Sequence, residues 1–256
     1  NESKRYRNAI REIIAKECNS AINNSFNLIP STELVYYSDS YKTFGLPFEN
    51  GFFNFNGKLE MGKIDSMFYS EVDGFFSPHK IQTRKFTYTD EIGMFEKFMT
   101  RVSIGREIAD SPDTINISKE FQKMFGYLCH SFKVQTMSPC IIFTDEDAND
   151  ENRNGGRGKT MITKALAEVQ TVMLKGGKEF DTNYTHVFAD LERKHNVYII
   201  DDVPAAFNYD DLYTNILGSI NCQRKGSKAE LIEFEQSPKF VITRLNTGLL
   251  AVPTFL

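Results

Sequence analysis

Three glycines within four positions, followed by a lysine and a threonine, constrain this 256-residue chain more than any other segment: Gly155-Gly156-Arg157-Gly158-Lys159-Thr160. The run stands between an apolar stretch, CIIFT from Cys140, and KTMITKALAEVQTVM, whose apolar spacing predicts a helix. A glycine-rich loop between a strand and a helix is the context a phosphate-binding P-loop requires. Glycines let backbone N–H groups turn inward on an anion, and the helix N-terminus adds partial positive charge at the same spot. The candidate nucleotide-binding segment is therefore Asn154, Gly155, Gly156, Arg157, Gly158, Lys159, Thr160 and Met161. In it Lys159 would neutralise the β- and γ-phosphates, and the Thr160 hydroxyl would bind Mg²⁺. One position departs from the standard G-x-x-x-x-G-K-[ST] spacing: Arg153 stands where a glycine is wanted, which leaves the turn to Asn154 and Gly155.

By itself such a loop is also ordinary surface chemistry with a chance Gly-Lys-Thr. A second motif changes the balance. VYIIDD, from Val197 to Asp202, is an apolar run that ends in two carboxylates about 40 residues after the loop. A buried strand ending in Asp-Asp is how P-loop ATPases set a magnesium-binding carboxylate beside the phosphates. Asp201 is the expected Mg²⁺ ligand, through water, and Asp202 the group that polarises the attacking water. Together the two motifs call for ATP and Mg²⁺.

The rest of the chain predicts where these motifs sit. From Cys140 onward apolar runs alternate with helical patterns: CIIFT, then KTMITKALAEVQTVM, VYIIDDV, YDDLYTNILGSI, a hairpin at QRKGSKAELIEFE, and KFVIT. That alternation predicts an α/β fold, a parallel sheet flanked by helices. Upstream, residues 3–17 and 91–101 read as helices, and ISKEFQKMFGYLCHSFK (117–133) as a helix with Phe121, Phe125, Leu128 and Phe132 on its packed face. Between 34 and 90, short aromatic runs (ELVYY, GFFNF, MFYS, GFFSP, KFTYT) are broken by turn residues and read as small antiparallel strands. Asp110-Ser111-Pro112-Asp113 is the expected boundary between a small α+β accessory region, 1–110, and a P-loop domain, 111–256.

Bulk properties add little. With a formal net charge of -4, any nucleic-acid contact must come from a local basic patch. Cys18, Cys129, Cys140 and Cys222 form no C-x-x-C pair and read as reduced core thiols of a cytoplasmic setting. His79, His130, His186 and His195 are isolated and read as structural or surface residues. No apolar run approaches the roughly 20 residues needed to span a bilayer, so no membrane partner is expected. The first residue is Asn, which suits a piece of a longer chain.

NGGRGKT, VYIIDDV, and SPKFVIT after a basic hairpin, with FENGFFNF and MFGYLCHSFK as weaker matches upstream, are the residues by which the chain resembles superfamily 3 helicases. The likeness is to the poxvirus-type primase–helicase ATPases of phages, plasmids and mobile elements, and runs over about residues 45–245. It implies an AAA+-like core, a homo-oligomeric ring (usually a hexamer), ATP-driven unwinding of DNA, and a primase domain or protein as partner. It gives the hairpin Gln223-Arg224-Lys225-Gly226-Ser227-Lys228 to single-stranded DNA, with Arg224, Lys225 and Lys228 as phosphate contacts. It implies a γ-phosphate sensor at the end of the strand Phe240-Val241-Ile242-Thr243. Asn246 takes that part here, one position later than the family pattern, unless Thr243 fills it or the sensor is lost. It also implies an arginine finger after that strand, but no Arg follows Arg244, which leaves the finger outside this chain or to an earlier residue such as Arg193 or Arg153. The alternative expectation is a P-loop ATPase that acts as loader, regulator or assembly factor without separating strands.

Overall fold

The computed structural model describes residues 36–56, 65–67, 74–78, 80–87, 89, 91–104, 119–144 and 158–244. The expected helix at 3–17, the boundary at 110–113, most of the glycine-rich loop (Asn154 to Arg157, with Arg153) and Asn246 lie outside the described residues.

The protein is mixed α/β, built on a four-stranded parallel sheet. The strands are β4 (Ile141–Phe143), β5 (Val172–Gly176), β6 (Val197–Val203) and β9 (Lys239–Arg244), in the order β4-β9-β6-β5. The two central strands are the two most continuous apolar runs, as a strand covered on both faces must be. Helices α1 (Met94–Ile104), α2 (Lys119–Cys129) and α3 (Lys159–Ala167) lie on one face. There Met99, Leu128, Ile162 and Leu166 pack on Val197, Ile199 and Val241. The other face carries Tyr198, Ile200, Phe240 and Ile242. It is covered by Leu212 of α4 (Asp210–Leu217) and by Phe180, Phe188 and Leu191 of the connection after β5. Each of these wholly buried side chains contributes about 1.5–3 kcal/mol relative to exposure.

Two further sheets complete the described residues. β1 (Phe44–Phe48), β2 (Gly51–Phe55) and β3 (Asp65–Met67) form an antiparallel set. Phe44 and Phe55 stack across the first pair with centroids 4.2 Å apart. Asp39 fastens this region to the end of α2: its carboxylate accepts the backbone N–H and the hydroxyl of Ser131, both at 2.7 Å, and the Gly45 N–H at 3.1 Å. The described residues between 36 and 104 are thus tied to the parallel sheet, through Met99 of α1 and through Asp39. β7 (Ile220–Cys222) and β8 (Glu230–Ile232) pair as a hairpin, Ile220 opposite Ile232 and Cys222 opposite Glu230. Among the described residues no helix is long and apolar enough to cross a membrane.

Three sequence expectations are corrected. The helix read across 159–173 ends at Ala167, where the Glu168 N–H turns back to the Ala165 carbonyl at 3.1 Å and the Val169 N–H to that of Leu166 at 3.0 Å. Its apparent continuation, VMLKG, is edge strand β5, paired in register from Val172–Val197 to Gly176–Asp201. A short apolar run satisfies helix and strand periods alike, which is why the spacing misled. The helix read to Lys133 stops at Cys129, so Phe132 lies past its end. KFTYT joins no ladder among its described residues; instead the Asn50 side chain bonds both the N–H and the carbonyl of Phe86, each at 3.0 Å.

Candidate functional site

In a parallel sheet all strands end on the same edge, and ligands of such folds bind outside the carboxyl ends. That edge here carries Phe143 of β4, Gly176 of β5, Asp201 to Val203 of β6, and Thr243 and Arg244 of β9. α3 runs back against the strands. Its far end lies at the amino end of β6, because Gln170, just past the helix, accepts the Asn196 side-chain amide at 2.5 Å and Thr171 O accepts the Asn196 N–H at 2.8 Å. The start of α3, with Gly158, Lys159 and Thr160, therefore faces the carboxyl edge that holds Asp201 and Asp202.

Gly158 adopts φ +97°, a left-handed conformation that L side chains avoid. A Cβ there would also lie 2.7 Å from Cζ of Phe98, on α1. Gly158 is thus required twice, by its backbone and by the ring that roofs it. Its carbonyl accepts the Ile162 N–H at 3.0 Å and so begins the helix. Gly158→Ala is expected to lower stability by about 1–3 kcal/mol, read as a shift of the urea midpoint at unchanged slope. A midpoint equal to that of the wild type would mean that neither the φ nor the ring constrains the loop. Beyond it, Lys159 is half-buried, and Thr160 and Met161 are exposed.

The acidic pair sits on an irregularity. Ile200 is in register with Ile242 and Val203 with Arg244, so β6 carries one residue more than β9 across the same step. The extra residue is Asp202, at φ +58°. Bulges of this kind are uncommon in parallel pairs, recur beside active sites and re-aim side chains. The bulge deprives the Asp202 N–H of a ladder carbonyl, and the Thr243 hydroxyl accepts it at 2.8 Å. The same hydroxyl donates to Oδ1 of Asp201 at 2.5 Å. Behind the bulge, Gly177 lies so close to the Val203 backbone that a Cβ on it would meet Val203 N and Cα at 2.6 Å. Lys178 follows, its Nζ 3.9 Å from Oδ2 of Asp202. This pair is exposed and worth little energetically, but it adds a cation beside the carboxylate.

The donor set suits a hard cation. Asp201 and Thr160 offer oxygen only, with one carboxylate half-buried and one hydroxyl exposed. Magnesium asks for few protein oxygens when phosphates supply others.

The basic hairpin divides. Lys225, Gly226, Ser227 and Lys228 form its exposed tip, turned at Gly226 with φ +72°. Arg224 is instead drawn to the base: it donates to Ala189 O at 3.0 Å, Leu191 O at 2.7 Å and Glu230 Oε2 at 3.0 Å. Arg193 meets the other oxygen of Glu230 at 2.9 Å and Leu231 O at 2.8 Å, and bonds Gln236. The two guanidinium groups hold the Glu230 carboxyl below the usual carboxylate range. Both arginines thus anchor the hairpin, Arg224, expected at single-stranded DNA, and Arg193, considered for the finger, alike. Sequence alone gives no sign of this, because Glu230 lies six residues from Arg224 and 37 from Arg193.

No protein-family model matches the chain, and no curated protein is similar to it. Among solved structures, a similarity is found to the A-form apo structure of the C-terminal region of NrS-1, at 13% identity and a TM-score of 0.41. The match covers 80% of this chain and 54% of that one, so the chain spans about half the length of the structure it resembles.

Proposed function

We propose that the chain is a magnesium-dependent ATPase and the motor of a ring-forming DNA helicase of the superfamily 3 primase–helicase type. The observation that carries the reading is the shared edge. The Gly158-Lys159-Thr160 start of α3 and the Asp201-Asp202 bulge of β6 face the same end of a parallel sheet. In this reading Lys159 binds the β- and γ-phosphates and Thr160 and Asp201 hold the magnesium. Asp202 orients and polarises the water that attacks the γ-phosphorus. Magnesium, when bound, supplies charge neutralisation on the phosphate oxygens. Lys225 and Lys228 contact the phosphates of a single strand without reading its bases, while Arg224 keeps the hairpin rigid.

One observation favours the second reading, an ATPase that loads or assembles on a partner without separating strands. With Arg224 engaged at the base, the tip offers two lysines where three cations were expected. A forked-duplex displacement assay on the full chain with ATP separates the two. The helicase reading expects displacement, and expects Lys225→Ala with Lys228→Ala to abolish it while DNA-independent hydrolysis persists. The slope of log affinity for single-stranded DNA against log salt should fall by about 1.4, roughly 0.7 per lysine. ATP hydrolysis without displacement by the wild type would pass the case to the loader reading. A chain that binds no ATP would end both.

A further inference from the structure

We infer that Thr243 is the positioning residue of the acidic pair: one buried hydroxyl fixes the rotamer of Asp201 and the backbone kink at Asp202 together, and so sets the affinity of the site for a magnesium–nucleotide. The inference rests on the reading of the site as a magnesium–ATP site. It differs from a phosphate sensor, because Thr243 acts through the two carboxylates and touches neither nucleotide nor metal.

The geometry carries it. Thr243 is 2% exposed, on the face of β9 that also bears Val241, against α3. Its hydroxyl has one proton and is flanked by one donor and one carboxylate. The Asp202 N–H comes in at 2.8 Å, and the proton goes out to Asp201 Oδ1 at 2.5 Å. The direction is fixed, since a backbone N–H can only donate and a carboxylate only accept. Bonds in such a relay polarise one another in the same sense, and a donor to an ionised carboxylate is among the stronger hydrogen bonds.

The relay also explains why the bulge persists. An extra residue in β6 leaves an N–H without a ladder partner and places Asp202 at φ +58°. Both are costly unless the surroundings compensate. The Thr243 side chain accepts the orphaned N–H, and a hydroxyl there can accept it while donating to Asp201. Serine keeps both functions. Valine keeps the shape and loses both.

Outer partners of metal-binding carboxylates typically contribute 10–100-fold in metal affinity or activity. Thr243→Val and Thr243→Ser are compared with wild type by magnesium titration of the binding of a fluorescent ATP analogue, by kcat and KM for ATP, and by thermal midpoint. Thr243→Val is expected to need about 10–100-fold more magnesium for half-saturation and to lose kcat by a similar factor, with a smaller change in KM. Thr243→Ser should stay within about threefold of wild type on the same grounds. A lower melting point for Thr243→Val with wild-type magnesium dependence and kcat would overturn the inference and leave the hydroxyl a structural filler. Should valine prevent folding, Thr243→Cys, similar in size and a feeble donor, must show the same displaced magnesium curve, and a wild-type curve there overturns the inference equally. If the wild-type chain itself binds no analogue with magnesium, the site reading fails rather than the assignment of Thr243 within it.

Discussion

Lys159→Ala is expected to abolish the proposed ATP hydrolysis, lowering kcat/KM by at least about 10²–10³-fold. That is the loss expected when a charged donor aimed at developing phosphate charge is deleted from a preorganised site. Lys159 is the first residue of α3, directly after the left-handed Gly158, so its charge adds to the partial positive charge of the helix N-terminus. Helix propensity does not oppose the substitution, because alanine is a better helix former than lysine and the packed face of α3 is Ile162, Thr163 and Leu166. Lys159 is half-buried and engaged within the fold, so the variant's thermal midpoint is read beside the activity to separate lost phosphate binding from lost stability. Lys159→Arg should rescue little, since a planar fork does not replace a compact ammonium at the phosphates. Phosphate release and titration of a fluorescent ATP analogue measure the effect. Equal rates in mutant and wild type would remove the phosphate-loop assignment and everything built on it.

How much of this the sequence discloses depends on the range of the interaction. VYIIDDV and KFVIT are legible as buried strands because a run apolar on both faces has few alternatives, and their parallel pairing follows from the helices between them. Gly-Lys-Thr and Asp-Asp stand out because phosphate and magnesium chemistry would demand those residue types in a row. What joins them is not legible. Nothing in the spacing shows that β6 carries an extra residue opposite Thr243, since a bulge exists only relative to its partner strand. Thr243 was visible as an end-of-strand polar residue, but not its bond to Asp201, 42 residues away. The anchoring of Arg224 is hidden for the same reason: a basic residue beside a Lys-Gly-Ser turn looks solvated until Ala189 and Leu191 are seen to offer it carbonyls. Long-range partners of charged side chains are the part of a site that one-dimensional patterns leave out.

Lys239→Ala is expected to cost about 2–5 kcal/mol of stability, from the cavity left by a buried side chain and the carbonyls it leaves unpaired. α2 ends with no basic residue in its last turn, so its terminal carbonyls need partners from elsewhere. Gln170 bonds the Cys129 carbonyl. Lys239, 2% exposed at the start of β9, reaches the carbonyls of Tyr127 and His130, the latter at 2.6 Å. It also meets His130 Nδ1 at 3.0 Å and lies over the Tyr127 ring at 4.0 Å. Burial lowers its pKa to about 7, only partly offset by the Asp39 carboxylate. Burial, with Lys239 adding to it, likewise lowers His130 to about 4, so the imidazole is neutral near pH 7. The sign of the pH dependence follows. The folded pKa lies below the unfolded value, so the unfolded chain binds the extra proton between about pH 7 and the ordinary lysine range, and stability rises with pH across that window. Lys133, lowered to about 8 by burial, adds the same sign in its upper part. The thiols of Cys129 and Cys140, pushed up to about 12 by burial, and of Cys222, pushed up to about 11, oppose it once unfolded thiols ionise near pH 8.5. Urea unfolding at pH 7.0 and 8.5 should therefore show a wild-type gain on the order of 1 kcal/mol. Lys239→Met, which keeps the volume and loses the amine, should show a clearly smaller gain. A flat wild-type profile would mean that Lys239 keeps its proton in the fold, held as an ammonium by its carbonyls.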